Sequence, residues 1–330
     1  MSKSTAVANA NIALVKYWGK RDSKLILPNN SSISMTCDSL NTTTTVEFSD
    51  EYKNDTVVIN DEELAKDEKD ILGHLDRIRK LAGITENAKI ISESNFPVAA
   101  GLASSASGFA ALTLAATKAA GLELSERELT VLTRQGSGSA CRSICEGFAE
   151  WHRGQLDDGS DSYAESVAKK DYWNNFRMIA TIVSEAKKKV SSRAGMAQTV
   201  ATCPYYDSWL KTVDNDLKII RDGILERNFS VVGRQAEHNC LKMHALMKTT
   251  QPPIIYWAPA TIEVMHNILA WREEGLESYF TIDAGPQVKV MCTKDNEKEL
   301  NRRLLELDGV KKTIVCKPGD GAKLVNTHLF

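Results

Sequence analysis

The sequence predicts a protein of mixed helices and strands that folds in two parts. Its 330 residues are enough for one large domain or two of ordinary size, each with its own core. Strand-like runs are frequent in the first half, and long stretches with helical character follow them. We place the boundary where this pattern changes, near residues 180–190, and divide the chain into residues 1–185 and 186–330.

The elements of the first part alternate between strands and helices. An alanine-rich helix follows residue 108 and ends near Gly121, and Ser125 with Glu128 three residues later is a capping box that begins another helix. β-branched residues favour a strand, and apolar residues at a spacing of three and four favour a helix. On these patterns we predict strands at 5–18, 42–48, 88–93 and 178–184 and a helix at 63–82.

The second part begins with helices and ends with strands. A break at Pro252 and Pro253 separates the predicted helices. We predict helices at 206–227, 229–248 and about 259–274, and strands at 278–283, 286–292 and 312–316.

Composition narrows the class of protein. With 41 basic and 43 acidic residues the net charge is −2, which favours neither nucleic acid nor an anionic membrane as a partner. The first residues contain no long apolar run, so we expect no signal peptide, and no run of roughly 20 apolar residues occurs in the sequence. The seven cysteines are odd in number and scattered, as is typical of reduced thiols, so we expect a cytoplasmic protein that acts on a small molecule.

A loop of small residues at 95–108 could hold a phosphate. It follows a predicted strand and leads into a helix, where free N–H groups and serine hydroxyls favour an anion. The loop matches neither the Walker A pattern nor the dinucleotide fingerprint. A capped helix that packs closely on a sheet explains the composition equally well.

A second small-residue stretch, 136–143, adds a cation. Arg142 could bind a phosphate or carboxylate through two parallel hydrogen bonds. The alternative is a tight turn with an incidental surface arginine.

Three more segments carry charged groups beside predicted strand ends. Lys16, Lys20 and Arg21 surround two aromatic residues and would suit an anion with several charges, although an ordinary basic strand end is the simpler interpretation. The lysine run 187–189 precedes Ser192 and Arg193, but most lysine runs are solvated surface. Asp283 lies between an apolar strand and a Gly-Pro turn, where it could be a general base or a turn former.

In this order the segments resemble the mevalonate diphosphate decarboxylases, which belong to the GHMP kinase superfamily with galactokinase, homoserine kinase and mevalonate kinase. The resemblance covers nearly the whole chain. Its most specific parts are Asn-Ile-Ala-Leu-Val-Lys-Tyr-Trp-Gly-Lys-Arg-Asp at 11–22, Phe-Pro-Val-Ala-Ala-Gly-Leu-Ala-Ser-Ser-Ala-Ser-Gly at 96–108 and Gly-Ser-Gly-Ser-Ala-Cys-Arg-Ser at 136–143. Shorter matches are Pro-Asn-Asn-Ser-Ser-Ile-Ser at 28–34, Gly-Met at 195–196 and Asp-Ala-Gly-Pro at 283–286. Many relatives differ in having Thr, Phe and Asn at Val98, Ile282 and Gln287.

The resemblance implies a fold and a reaction. The fold is a two-domain α/β (α+β) fold of the GHMP kinase type, with the active-site cleft between the domains. Residues 1–185 would form the ATP-binding domain, similar to ribosomal protein S5 domain 2, and residues 186–330 a ferredoxin-like substrate domain. The reaction would use ATP and Mg²⁺ to phosphorylate the 3-hydroxyl of mevalonate 5-diphosphate. Loss of phosphate and CO₂ then gives isopentenyl diphosphate in isoprenoid and sterol biosynthesis. A cytoplasmic homodimer is expected.

The resemblance also assigns roles to residues. Asp283, Lys16 and Lys188 match catalytic positions, although the run 187–189 leaves open which of its lysines acts. Positions that bind the substrate's diphosphate and carboxylate match Tyr17, Lys20, Ser137, Ser139, Arg142, Ser192 and Arg193. The ATP phosphate loop matches Gly101, Leu102, Ala103, Ser104, Ser105, Ala106, Ser107 and Gly108. No residue is assigned to the metal.

Three other functions remain open. The enzyme could prefer mevalonate 5-phosphate and produce isopentenyl phosphate, since both substrates would use every motif above. A related kinase would phosphorylate without decarboxylation, but Asp283 beside Lys16 and Arg142 favours the decarboxylase. An inactive sensor should have lost Asp283 or the serine loop, and both are present.

Overall fold

The computed structural model describes residues 3–64, 69–96, 104–186 and 188–330. The strands are β1 (Ser4–Val15), β2 (Lys20–Asp22), β3 (Leu27–Pro28), β4 (Ser32–Ser49), β5 (Thr56–Ile59), β6 (Glu62–Glu63), β7 (Asn87–Ser94), β8 (Phe148–Trp151), β9 (Ala164–Ala168), β10 (Phe176–Ile182), β11 (Tyr279–Ile282), β12 (Val288–Thr293), β13 (Lys312–Cys316) and β14 (Lys323–Val325). The helices are α1 (Lys69–Ala82), α2 (Ser104–Ala119), α3 (Glu126–Gly136), α4 (Ser192–Thr202), α5 (Tyr206–Leu225), α6 (Phe229–Lys248), α7 (Pro259–Glu273) and α8 (Glu297–Leu305), with a 3-10 helix at Gly138–Ser143. None of the described helices has the length and apolar character that a membrane span requires.

The first sheet has the strand order β14-β1-β4-β7-β5-β6, with β8 and β9 continuing from β4. Its pairs are antiparallel except for β5 and β7, which run parallel. The predicted alanine-rich helix is α2, which packs on β1 and β4. Its alanines Ala110, Ala111 and Ala115 are fully buried, and their small side chains let the helix lie close to the sheet.

The predicted capping box begins α3. The Glu128 amide donates to Ser125 Oγ at 3.3 Å, and the Ser125 amide donates to Glu128 Oε2 at 2.8 Å. These bonds satisfy N–H groups that a helix start otherwise leaves unpaired, and the prediction is confirmed.

The second sheet is antiparallel, in the order β11-β12-β10-β13. Alternate residues of β10 face opposite sides, as the strand period of two requires. Ile179 packs in the apolar cluster with α7 and α8, whereas Met178 and Ala180 pack in the cluster that contains α5 and α6.

Helices α5 and α6 lie between the two sheets, and their side chains form one core together with side chains of both sheets. Ile12 and Leu14 of β1 belong to the same buried cluster as Ile220 of α5, Val232 of α6 and Met291 of β12. The two parts are therefore fixed against each other by apolar packing, and this packing sets the position of the cleft between them.

Several element bounds differ from the predictions. The predicted helix 63–82 begins at Lys69, because Glu62 and Glu63 form β6, while 65–68 lie outside the described residues. The first strand ends at Val15 rather than residue 18. Helix α4 was not predicted, since its sequence Ser-Arg-Ala-Gly-Met-Ala-Gln-Thr-Val-Ala-Thr has no apolar stripe.

The sheets do not divide the chain where we placed the domain boundary. Strand β10 precedes residue 185 but belongs to the second sheet, and β14, near residue 325, pairs with β1 in the first. Sheet pairing depends on contacts between residues far apart in sequence, which a change in local pattern does not report. We propose a boundary before residue 176, with β14 as part of the first unit.

Candidate active site

A cavity of about 560 Å³ lies between the two parts of the molecule. The segments that meet there include the end of β1, the 3-10 helix, the start of α2, the start of α4 and the turn after β11. The predicted site residues that line it are Lys16, Tyr17, Lys20, Ser104, Ser105, Gly108, Ser137, Ser139, Arg142, Lys188, Ser192, Arg193 and Asp283. Segments up to 267 residues apart along the chain thus converge in one cleft.

Asp283 is held between two lysines. Lys16 Nζ lies 2.7 Å from Asp283 Oδ1, and Lys289 Nζ lies 3.3 Å from Oδ2. The lysine side chains are buried, at 1% and 0% exposed, while Asp283 is 22% exposed toward the cavity. The carboxylate is therefore the most accessible group of this triad.

The two lysines keep Asp283 ionised. Burial alone would raise the pKa of the Asp283 carboxyl, but Lys16 and Lys289 outweigh it and hold that pKa well below its ordinary value. Lys289 was missed in the sequence analysis. Its alternation with Val288 and Val290 is typical of a strand with one solvated face, and only the sheet pairing reveals that this lysine points to Asp283.

Lys188 lies on the same side of the cavity as Asp283. Its Nζ donates to Ser192 Oγ at 2.7 Å and to the Ala284 carbonyl at 3.1 Å. Burial lowers the pKa of Lys188, and Lys289 lowers it further, while Asp283 opposes both. These contacts favour Lys188 as the catalytic lysine of the run 187–189. Lys187 lies outside the described residues and is not compared.

Arg142 is a buried residue, which excludes the alternative of an incidental surface arginine. It is 2% exposed, and its Nε donates to Ser34 Oγ at 2.8 Å and to Asn11 Oδ1 at 3.2 Å. Its Nη1 donates to Ser32 Oγ at 2.5 Å. Neutral partners on β1 and β4 therefore orient the guanidinium without neutralising it, and its charge remains available to an anion.

Tyr17 presents a hydroxyl donor to the cavity. Among the described residues its oxygen is buried and has no hydrogen-bond partner. Burial raises the pKa of Tyr17 far above its ordinary value, so the proton stays on the oxygen. The ring packs edge-on against Trp151 with centroids 4.7 Å apart. Gly138 makes this packing possible, because a Cβ there would lie 2.8 Å from Trp151 and 3.0 Å from Tyr17.

The start of α4 carries a second group of polar residues. Ser191 caps the helix by accepting from the Ala194 amide at 3.2 Å, which leaves Ser192 and Arg193 at the positive end of the helix dipole. Arg193 is half exposed and forms an ion pair with Asp70 of α1. Burial lowers the pKa of nearby Lys20, and Arg193 adds to this effect while Asp70 opposes it. Asp70 was not singled out from the sequence.

The predicted ATP loop is only partly in contact with the cavity. Ser104, Ser105 and Gly108 line it at the start of α2. Ala106 and Ser107 do not, because both are fully buried toward the sheet, and Ser107 Oγ bonds Thr42 Oγ1 at 2.7 Å. The helical period explains this difference, because successive residues of a helix point in different directions. Gly101, Leu102 and Ala103 lie outside the described residues.

The far end of the cavity is apolar. It adjoins the start of α2 and was missed in the sequence analysis, because its residues come from five separate elements. They are Val57, Ile59, Ile71, Ile90, Phe109 and Leu112, with the hydroxyls of Thr44 and Ser92 among them. A flat apolar group with a few polar atoms would fit such a surface.

Comparison with family models gives matches to both parts of the chain. Residues 8–164 match the diphosphomevalonate decarboxylase-like N-terminal domain, and residues 178–317 match the mevalonate 5-diphosphate decarboxylase C-terminal domain. The diphosphomevalonate decarboxylase of Saccharomyces cerevisiae is 36% identical over 324 residues, which cover 93% of this chain and 82% of the relative.

Solved structures agree with this. The mevalonate diphosphate decarboxylase from Enterococcus faecalis, described for its mevalonate diphosphate mediated ATP binding mechanism, superposes with a TM-score of 0.92 at 39% identity. The match covers 98% of this chain and 99% of that one. A structure of MDDEF in complex with MVAPP, AMPPCP and magnesium has a TM-score of 0.91 at 39% identity and the same coverage. The two-domain GHMP kinase-like fold expected from the sequence is confirmed.

Proposed function

Because the chain belongs to the diphosphomevalonate decarboxylase family, we propose that it catalyses the ATP-dependent decarboxylation of mevalonate 5-diphosphate to isopentenyl diphosphate, ADP, phosphate and CO₂. The observation that carries this proposal is the carboxylate of Asp283, ionised between Lys16 and Lys289, in one cavity with Arg142 and the start of α2. This arrangement has a group for the reacting hydroxyl, cations for an acidic substrate and a helix N-terminus for a phosphate.

We assign the two ends of the cavity to the two substrates. The hydroxyls of Ser104 and Ser105 at the start of α2 would bind the ATP phosphates, and the apolar end beside them would hold the base. Cations and donors from the end of β1, the 3-10 helix and the start of α4 would bind the diphosphate and carboxylate of the mevalonate, through Tyr17, Lys20, Ser137, Ser139, Arg142, Ser192 and Arg193. Asp283 and Lys188 would act where the two substrates meet.

Asp283 would orient the 3-hydroxyl rather than remove its proton in advance. A carboxylate with a lowered pKa is a weak base toward a free alcohol. It becomes an adequate acceptor once the oxygen begins to bond to phosphorus, because the proton is then more acidic. Lys188, whose ammonium group is 3.1 Å from the Ala284 carbonyl beside Asp283, would stabilise the charge on the transferred phosphoryl group.

Decarboxylation follows from the phosphorylated intermediate. The C3–O bond breaks with its electron pair on the departing phosphate, and positive charge develops at C3. The bond between the carboxylate carbon and C2 then breaks, and its electrons form the C2–C3 double bond as CO₂ leaves. Arg142, whose described hydrogen-bond partners are all neutral, would hold the carboxylate in position for this step.

The residues present also fit a magnesium ion that arrives with ATP. Mg²⁺ prefers oxygen ligands and keeps water and substrate phosphates in its shell. The hydroxyls of Ser104 and Ser105 are suitable oxygens beside the proposed phosphate site, whereas the Asp283 carboxylate is engaged by two lysines. When bound, the ion would neutralise part of the phosphate charge.

Product balance tests the proposed function. With ATP, Mg²⁺ and mevalonate 5-diphosphate, the purified protein should release CO₂ and ADP in equal amounts. Release of ADP without CO₂ would identify a kinase. Release of neither ADP nor CO₂ would refute the proposal. A parallel assay with mevalonate 5-phosphate measures the preference between the two substrates.

We further propose that the protein is a homodimer in the cytoplasm, in keeping with its family. Molar mass in solution, measured by light scattering, tests the dimer. A mass near the 36.4 kDa of one chain would contradict it.

A further inference from the structure

Helix α6 contacts the backbone on both sides of the Lys16–Asp283 pair. The two side chains that make these contacts do not line the cavity. Asn239 Oδ1 accepts from the Lys16 amide at 2.8 Å. Five residues farther along the helix, His244 Nε2 lies 3.2 Å from the carbonyl of Ile282, the residue before Asp283. Both side chains are buried, Asn239 at 0% and His244 at 2% exposed. One rigid element therefore holds the strand ends that carry both partners.

Asn239 is itself held in one orientation. Its Nδ2 donates to Asp216 Oδ2 on α5 at 2.7 Å, which fixes Oδ1 toward Lys16. Asp216 is 3% exposed, accepts from Gln235 Nε2 at 2.6 Å and forms an ion pair with Lys242. A carboxylate so deeply buried is costly unless it is paired, and these contacts satisfy it.

His244 is neutral and can only donate to its partner. Burial lowers the pKa of His244 to about 3, so the ring carries one proton near neutral pH. Because the Ile282 carbonyl is an acceptor, that proton must be on Nε2. The ring also packs against Trp257 with centroids 4.9 Å apart, which limits its rotation. Cys240, four residues earlier, accepts from the Ile282 amide at 3.1 Å.

We propose that α6 is the positioning element of the reaction: Asn239, oriented by Asp216, and His244 align the ammonium of Lys16 with the carboxylate of Asp283. This inference rests on the proposed function and adds residues to it that touch no substrate. The pair must meet the 3-hydroxyl with correct geometry, and a misplacement of about 1 Å can lower a rate about 100-fold. Positioning side chains buried behind a site have this effect when their own orientation is fixed.

Three substitutions and a control separate positioning from general stability. Asn239→Ala removes the bond to Lys16, and His244→Phe removes the bond to Ile282 while keeping a ring. His244→Gln keeps a donor in place of Nε2. The matched control is Glu237→Gln on the same helix, because Glu237 accepts from the amide of Phe280 at 3.2 Å and pairs with Arg272 but contacts neither Lys16 nor Asp283.

The expected result is a loss of kcat at nearly constant KM. Asn239→Ala and His244→Phe should lower kcat at least about tenfold, with each KM within about threefold of wild type. His244→Gln should recover most of the loss, and Glu237→Gln should lower Tm while leaving kcat within about twofold.

The pH profile gives the readout that a structural role would not change. The charged and titratable groups that face Asp283 are Lys16, Lys289, Lys188, Arg142, Cys240, His244 and Cys37. Asn239→Ala leaves all of them present but displaces Lys16, so the acid limb of kcat/KM should move to higher pH. An unmoved acid limb, or a kcat within about twofold of wild type, would overturn the inference.

The same measurements distinguish the two proposals. An inactive wild-type enzyme would refute the proposed function, whereas an active wild type with unaffected variants would refute only the role of α6. If Asn239→Ala does not fold, the two His244 variants carry the test.

Discussion

At the scale of single residues, the site depends on one carboxylate with two buried ammonium partners. Asp283 is the most exposed of the three toward the cavity, and the lysines set its charge. This differs from a general base poised near neutral pH, because both partners favour the ionised form. We test the carboxylate of Asp283 with one substitution and the ammonium group of Lys289 with another.

Asp283→Asn should reduce kcat by at least about 10³-fold and leave ATP binding within about threefold of wild type. The amide keeps the shape of the side chain but cannot accept the hydroxyl proton, and the proposed nucleotide site is at the start of α2. Steady-state kinetics and ATP titration calorimetry measure the two effects. A fully active variant would refute the role of the carboxylate.

Lys289→Met should shift the acid limb of kcat/KM to higher pH. Lys289 helps to hold the pKa of Asp283 down, so its removal lets that pKa rise toward the ordinary value and protonation begins at higher pH. The buried methionine fills a similar volume. Lys294→Met, at the exposed end of the same region, is the control and should leave the profile unchanged. Superimposable profiles for both variants would contradict the assignment.

At the scale of elements, the site is assembled from the ends of strands and the starts of helices. Lys16 follows β1, Asp283 follows β11, and α2 and α4 both begin at the cavity. A glycine near the site can be tested by asking which atoms an added methyl group would contact. At Gly138, in the 3-10 helix, the methyl group would be crowded, whereas at Gly73, inside α1, it would have space.

Gly138→Ala should raise KM for mevalonate 5-diphosphate by about tenfold, with KM for ATP within about twofold. The added methyl would lie 2.8 Å from Trp151 and 3.0 Å from Tyr17, and overpacking of this kind costs about 1–3 kcal/mol. The tyrosine hydroxyl would then be displaced from the substrate end of the cavity. An unchanged KM would show that Tyr17 does not contact this substrate.

Gly73→Ala is the matched control within α1. Among the described residues, no atom outside its own helix turn lies within 4 Å of the added methyl, and alanine in a helix interior is favoured over glycine by about 0.5–1 kcal/mol. Thermal unfolding should therefore show a small increase in Tm, with both KM values unchanged. A lower Tm would mean that the added methyl is not accommodated.

The sequence reveals those parts of the site that have a local pattern. Arg142 and Asp283 stand beside small-residue stretches, and Lys16 follows a strand, so each could be selected before the fold was known. Lys289 and the apolar end of the cavity could not, because their positions depend on which strands pair. Ser107 was selected for its hydroxyl but points to the sheet, since the helical period decides its direction.

At the scale of the whole molecule, the shared core makes the two parts one unit of stability. Side chains of β1, α5, α6 and β12 belong to one buried cluster, so neither sheet can lose its packing alone. The long helices around it were predictable from apolar spacing, but β14 was not, because three residues carry too little pattern.

The full chain should therefore unfold in one cooperative transition. Calorimetry should give a single peak with equal calorimetric and van't Hoff enthalpies, because apolar packing joins the two sheets. ATP with Mg²⁺ should raise the Tm of that one peak. Two resolved transitions would contradict the shared core.

The pairing of β14 with β1 also has a consequence for biosynthesis. Thr5 pairs with Val325, so 320 residues of synthesis separate the two partners of this edge. At a synthesis rate of roughly 5–20 residues per second, that edge stays open for roughly 16–65 s. During this time β1 presents unpaired amide and carbonyl groups at that edge to other nascent chains, an aggregation hazard that ends when β14 has been made and pairs with β1.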